Sequence, residues 1–306
     1  MPLSTAVRFD PLLTNISIQY QPAAAGYLAD SILPPVPVAK EAGSYWVYDK
    51  SRFDAPDAKR APRSEYNRVD WDVSTDTYLT QKYGLEGEID DEERENAASP
   101  LDLDVDTTEI VTDMLLNDRE KRVANLVLST SNITQNTTLT GSDQWNDDSS
   151  DPQAAIATGR QTIWAATGQR PNRLAIGYLV FEALKRNPAI KAIIQYTERA
   201  IVTTQLLATL FEVDEVLVGS VLRRTSKEGQ TDALTDVWGK DALLFYAEKS
   251  PSLKRATFGY QLRQHDMKVF RYREDKRDTD VIRVTEKQAE KIVSVQLAYL
   301  IKAAVA

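Results

Sequence analysis

The sequence predicts an α+β protein in which strands come first, helices occupy the middle and strands close the chain. Three observations carry that expectation. Residues 69–79 alternate strictly between apolar and polar, residues 104–130 place apolar side chains at helical spacing, and the last third repeats short apolar runs between charged stretches. With 306 residues, 42% of them hydrophobic, the chain is long enough to bury one large core or two ordinary ones.

Taken in order, the first 40 residues are interrupted by six prolines, Pro2, Pro11, Pro22, Pro34, Pro35 and Pro37. Pro34-Pro35-Val36-Pro37 favours extended polyproline geometry, so this stretch is expected to build no core of its own and to lie on something else. A hairpin follows. Residues 44–48 are aromatic and β-branched, and Val69, Trp71, Val73, Thr75, Thr77 and Leu79 alternate with Asp70, Asp72, Ser74 and Asp76. Between the two strands, residues 49–68 are charged and broken at Pro56 and Pro62, too long for a tight turn.

Val111, Leu115, Val123 and Val127 form one stripe of a helix over 104–130, with Ile110, Met114 and Leu126 beside it. Asp104, Asp106 and Glu109 favour its N-terminal dipole. Twenty-five residues would span nearly 40 Å, and Asp118, Arg119 and Arg122 break the sustained heptad that a coiled coil requires. Residues 129–150 read as a polar loop.

The most specific stretch is next. Asp151 is a good N-cap, Pro152 fits a first helical turn and Gly168 tolerates a left-handed exit, which predicts a helix over 153–167. Leu174, Ala175 and Ile176 form a buried strand, and residues 178–186 a second helix stopped by Asn187-Pro188. A helix over 204–211 and strands at 215–219, 242–246, 258–262, 269–272, 281–284 and 293–301 complete the pattern.

Several chemistries are excluded by composition. The chain has no cysteine, so disulfides and thiolate chemistry are absent, and one histidine, His265, so a two-histidine metal site is impossible. His265 lies in a charged stretch and reads as a surface residue. No phosphate-cradling loop and no dinucleotide fingerprint occur. No window approaches the roughly 18 apolar residues of a membrane span, and the N-terminus lacks the basic and apolar regions of a secretory signal. Asn15, Asn132 and Asn136 match the glycosylation sequon by chance. Carboxylates are plentiful, so a carboxylate-dependent hydrolase stays open on spacing alone.

Charge is unevenly spread. Eleven acids face one base, Arg94, between residues 86 and 109, which exceeds the whole-chain net charge of −8. Residues 40–68 hold seven bases and five acids. Both stretches are either solvated surface, worth little as exposed pairs, or complementary patches that meet between copies of the chain and set register. An acidic chain without a basic-aromatic stripe is a poor nucleic-acid binder.

The order Asp151-Pro152, Pro171-Asn172-Arg173-Leu174-Ala175-Ile176-Gly177, Val180-Phe181-Glu182-Ala183-Leu184, Asn187-Pro188-Ala189-Ile190 and Val237-Trp238-Gly239-Lys240-Asp241-Ala242 resembles the major capsid proteins of tailed double-stranded DNA phages. The resemblance implies the Hong Kong phage-type capsid fold: an N-terminal arm over 1–43, an extended loop over 44–80, a peripheral domain from 81–139 and 250–306 with a long spine helix at 104–130, and an axial domain over 140–249. It also implies a structural role without enzyme activity, cofactor, metal or membrane. Copies would associate in pentamers and hexamers of an icosahedral head that encloses DNA without sequence-specific binding, with scaffolding, portal and decoration proteins as further partners. The place would be the virion capsid, assembled in the host bacterial cytoplasm. On this reading Arg52, Lys59, Arg60, Arg63 and Arg68 face Asp90, Asp91, Glu92 and Glu93 of another copy, and the extended loop is ordered mainly when a neighbour supports it. Some relatives crosslink through a lysine–asparagine bond, for which Lys50 or Lys59 would be the candidates. An encapsulin-like nanocompartment shell is the alternative, although its relatives begin with an amphipathic helix where this chain has a proline-broken arm.

Overall fold

A computed structural model describes residues 8–9, 26–48, 59, 65–66, 68, 73–96, 102–194, 202–227, 229–248 and 257–306. Strand β1 spans Arg8–Phe9, helix α1 Ala29–Ile32, β2 Pro35–Pro37, and β3 Ala42–Tyr48 pairs antiparallel with β4 Val73–Leu79. β5 Gln81–Asp90 leads through α2 Asp91–Asn96 to the long α3 Leu103–Val127 and the short β6 Asn136–Thr138. Then come α4 Pro152–Thr167, β7 Arg173–Gly177, α5 Tyr178–Arg186, α6 Pro188–Ile194, α7 Thr204–Phe211 and β8 Glu215–Gly219. β9 Leu222–Arg224 and β10 Leu234–Asp236 make a ribbon, β11 Ala242–Phe245 follows, and β12 Gly259–Glu274, β13 Thr279–Ile292 and β14 Ala298–Lys302 close the chain.

Two sheets organise these elements. The second in chain order runs β6-β14-β11-β7-β8, with β7 and β8 parallel and β11 antiparallel to both β7 and β14. Its strands alternate between two apolar layers. Leu174, Ile176, Leu244 and Ile301 pack with Ile156, Ile163, Leu184 and Phe211 on α4, α5 and α7. Ala175, Leu243, Phe245 and Leu300 pack on the other face with Val123 and Val127 of α3 and with Leu28, Ile32 and Leu33 around α1. A sheet covered on both faces needs continuous apolar strands rather than alternation, which is why residues 174–176 and 242–245 read so clearly. The caps hold as well: Asp151 accepts from the Ala154 amide at 3.0 Å and Gly168 closes α4 at φ 68°.

The first sheet has the order β1-β12-β13-β5, and β2 pairs parallel with β12. Ile89, Val269, Ile282 and Val284 form its inner layer against Val111 and Leu115 of α3. The long helix is capped by Asp102, whose side chain accepts from the Asp104 and Val105 amides.

Several sequence expectations change. The described end of the proline-broken segment, from residue 26 on, packs into the core of its own chain. Ile32 and Leu33 are fully buried, and β2 tolerates its prolines because it is an edge strand paired on one side. The fragments expected at 258–262, 269–272 and 281–284 are two long strands, because charged residues along them face ion partners instead of marking loops. The strand expected over 293–301 begins with a 3-10 turn, Val295–Leu297. Pro188 both ends α5 and opens α6, since a helix tolerates proline in its first turn. β6 lies inside the expected 129–150 loop, held parallel to β14. β5 occupies part of the acidic run, with Ile89 on the packed face.

Candidate functional site

β5 carries Glu86, Glu88 and Asp90 along one strand, and the hairpin of β12 and β13 brings arginines to the first two. Arg283 pairs with Glu86, and Arg277 lies 3.2 Å from Glu88. At the start of α3, Arg94 and Arg271 reach Asp104 at 2.8 and 2.9 Å and Asp280 at 3.0 and 2.7 Å. Arg273 takes Asp91 in a two-pronged grip of 2.7 and 2.6 Å, which holds the Asp91 carboxyl below its ordinary range. Four of the eleven acids of the run, Glu86, Glu88, Asp91 and Asp104, are thus paired within the chain with arginines more than 150 positions away.

Of the residues expected between copies, Asp91 is committed to Arg273, while Asp90, Glu92 and Glu93 lie at the exposed end of β5 and the start of α2. Lys59 and Arg68 are exposed. Arg52, Arg60 and Arg63 fall outside the described residues, as does most of the connection between β3 and β4. The root of that hairpin is seated on the chain's own body: Tyr45 and Tyr78 pack with Tyr260 and Leu262, and the Tyr45 hydroxyl donates to Asp76 at 2.6 Å.

A second, buried set of charges ties the first sheet to the middle of α3. Glu286 pairs with Arg119, which is 6% exposed, and with Arg122 at 3.0 Å; Arg122 also reaches Glu290 at 3.2 Å and stacks over the Tyr83 ring at 3.6 Å. Asp30, on α1, reaches Arg263 at 2.5 Å and Arg119 at 3.6 Å. Arg119 and Arg122 interrupt the apolar stripe because they face these carboxylates.

Glu120 joins three parts of the molecule. Its fully buried carboxylate accepts from the Leu28 amide at 2.6 Å, the Ala29 amide at 2.9 Å and the Trp238 indole at 2.7 Å. Burial pushes its pKa up, and the three donors draw it back toward the charged form. This latch connects the N-terminal segment, the long helix and the turn before β11. Sequence reasoning missed it, because a single glutamate among surface-like neighbours carries no local signal. β5 had one: Tyr83, Leu85, Gly87 and Ile89 alternate with its acids.

Among the described residues no cluster of His, Asp and Glu is arranged to hold a metal ion, and no helix is long and apolar enough to cross a membrane. His265 is exposed at a β-bulge between Arg263 and Lys268, with no serine or carboxylate geometry of a triad around it in the hydrogen bonds described. The arrangement is one of ribbons and cross-element ion pairs within the chain.

No family model matches the chain. It is 29% identical over 300 residues, covering 95% of each chain, to the major capsid protein of Burkholderia phage BcepMu. It is also 29% identical over 253 residues, 81% of this chain and 80% of the other, to the major capsid protein of Pseudomonas phage JBD67. Its structure is similar to that of a phage-related protein from Bordetella bronchiseptica, with a TM-score of 0.77 and 25% identity over 98% of both chains.

Proposed function

We propose that this chain, which carries the Hong Kong phage-type capsid fold, is the major capsid subunit of a tailed phage. The observation that supports this reading most strongly is similarity to a major capsid protein along 95% of the chain. The role is structural. Many copies close into an icosahedral shell of pentamers and hexamers through heterologous contacts, and no residue needs to act on a substrate.

The long helix serves as the spine, with the first sheet in the peripheral domain (81–139 and 250–306) and the helices and strands of 140–249 in the axial domain, whose sheet is completed by β6 and β14 from the peripheral ranges. The loop over 44–80 reaches other copies, whereas residues 26–38 of the arm over 1–43 are held on their own chain. Arg52, Lys59, Arg60, Arg63 and Arg68 meet Asp90, Glu92 and Glu93 across the contact, while Asp91 braces its own chain through Arg273. The shell encloses DNA without gripping it, consistent with a net charge of −8. Scaffolding, portal and decoration proteins are its further partners, and assembly takes place in the host bacterial cytoplasm. Electron microscopy of the expressed protein tests the reading: closed shells are expected, and a chain that stays monomeric at high concentration, with or without its co-expressed phage partners, overturns it.

A further inference from the structure

The ribbon of β9 and β10 is a two-stranded sheet with no third strand among the described residues. Every residue of β9 is exposed, as are Leu234 and Thr235 of β10. The register sets Leu222 opposite Asp236 and Leu234 opposite Arg224. Opposite residues share a face and so do residues two apart, so Leu222, Arg224, Leu234 and Asp236 lie on one side and Arg223 and Thr235 on the other. The two leucines, 52% and 64% exposed, are therefore diagonal neighbours on one face. A two-stranded ribbon is marginal in water when nothing covers it, and its free edges carry unpaired carbonyl groups.

The same end of the second sheet holds a complementary surface. β7 and β8 run parallel and finish at Gly177 and Gly219, where a Cβ would come within 2.1 Å of the Gly239 carbonyl oxygen and of the Trp238 ring. α5 leaves from the first of these strands and the ribbon follows the second. Tyr178 and Leu179, which open α5, are 48% and 47% exposed. They border a cleft of about 540 Å³ shared with Trp145, Asp148 and Glu182. Trp145 is buried, yet its indole N–H has no acceptor among the described residues. Asp148 gives the rim an acid, with Glu182 paired to Lys185 at 2.7 Å and Arg186 also lining the cleft, while the ribbon and its tip offer the exposed Arg223 and Lys227, Arg224 being paired with Asp232 at 2.6 Å.

We propose that the leucine face of the ribbon docks into the Tyr178–Leu179 cleft of a second copy of this chain, one copy's ribbon filling the next copy's cleft around a ring. The contact is head-to-tail, so it closes only as a cycle. The leucines cover Tyr178 and Leu179, and Arg223 and Lys227 face Asp148. This inference rests on the shell reading and names the contact that shell would use.

The absence of cysteine makes the test clean. A full-length chain carrying Leu179→Cys and Leu234→Cys is assembled, oxidised mildly and run under denaturing conditions. A ladder of linked chains in the double variant and its absence in either single variant is expected. Assembled particles that give no ladder, or monomers linked within themselves, overturn the proposal. Leu222→Asp in the otherwise intact chain supplies a second readout: the concentration needed for assembly should rise tenfold or more with unchanged melting of the dilute protein, and an unchanged assembly threshold overturns the contact. A wild-type chain that never assembles sinks the shell reading itself, which separates the two failures.

Discussion

In the second sheet β11 buries all four of its residues, whereas in the first sheet β5 buries Ile89 alone and pairs Glu86 with Arg283 of β13 and Glu88 with Arg277 of the β12–β13 turn. One sheet is held by apolar packing on both faces; the other adds ion pairs, buried against α3 and exposed along β5, to its packing against α3 and the β3–β4 hairpin. The contrast separates what a single chain can stabilise from what salt, pH and neighbours modulate. Apolar burial responds little to ionic strength, but exposed charges are screened as salt rises, largely so beyond a screening length of about 8–10 Å in ordinary buffers. The first sheet therefore suits the part of a subunit that adjusts to its neighbours.

The comparison can be broken first at Glu286. Replacing it by alanine leaves Arg119 buried beside only the more distant Asp30, a loss of about 3–5 kcal/mol measurable by denaturant unfolding. Leu244→Ala opens a cavity between the sheet and its helices and should cost about 2–5 kcal/mol, with the same value at low and high salt. A loss at Leu244 that depended on salt would contradict the division between the two sheets.

Glu120→Gln is the next smaller perturbation. The amide can accept through one oxygen only, so one of the three donors is left unpaired, at a cost of about 1–3 kcal/mol. The pH dependence has a definite sign. Because the folded pKa of Glu120 lies above the ordinary 4.5, its contribution is fully present below that value and is lost as pH rises through the raised one. The difference in stability between wild type and Glu120→Gln should shrink over that window. Asp91 works in the opposite direction: Arg273 lowers its pKa from the ordinary 3.8, so its contribution is present above 3.8 and disappears as pH falls through the lowered value. Removing the exposed Arg277, which pairs with Glu88, is the mildest change, about 0–1 kcal/mol and vanishing in high salt.

The second sheet was legible because its signals are local. Asp151-Pro152, Gly168 and Pro188 bracket helices by their own backbone chemistry, and a strand buried on both faces announces itself as an apolar run. The first sheet resisted for the opposite reason. Glu86 makes sense as a strand residue only beside Arg283, and β12 and β13 carry enough charge to look like fragments until the two are laid together. The buried N-terminal segment was hidden by its prolines, whose missing donors matter little on an edge paired with β12. Asp30 and Glu120, the charged anchors of that segment, depend on contacts more than 80 positions away. The acidic run was visible as a charge excess, but its partners were not.

Amide hydrogen exchange, compared between dilute unassembled chain and assembled particles, tests the central claim most directly. The account predicts that β9–β10 and the distal part of β3–β4 exchange quickly in the free chain and gain protection on assembly, while residues 174–176 and 242–245 stay slow in both states. Ribbons already as protected as that sheet in the isolated chain, with nothing gained at high concentration, would contradict it.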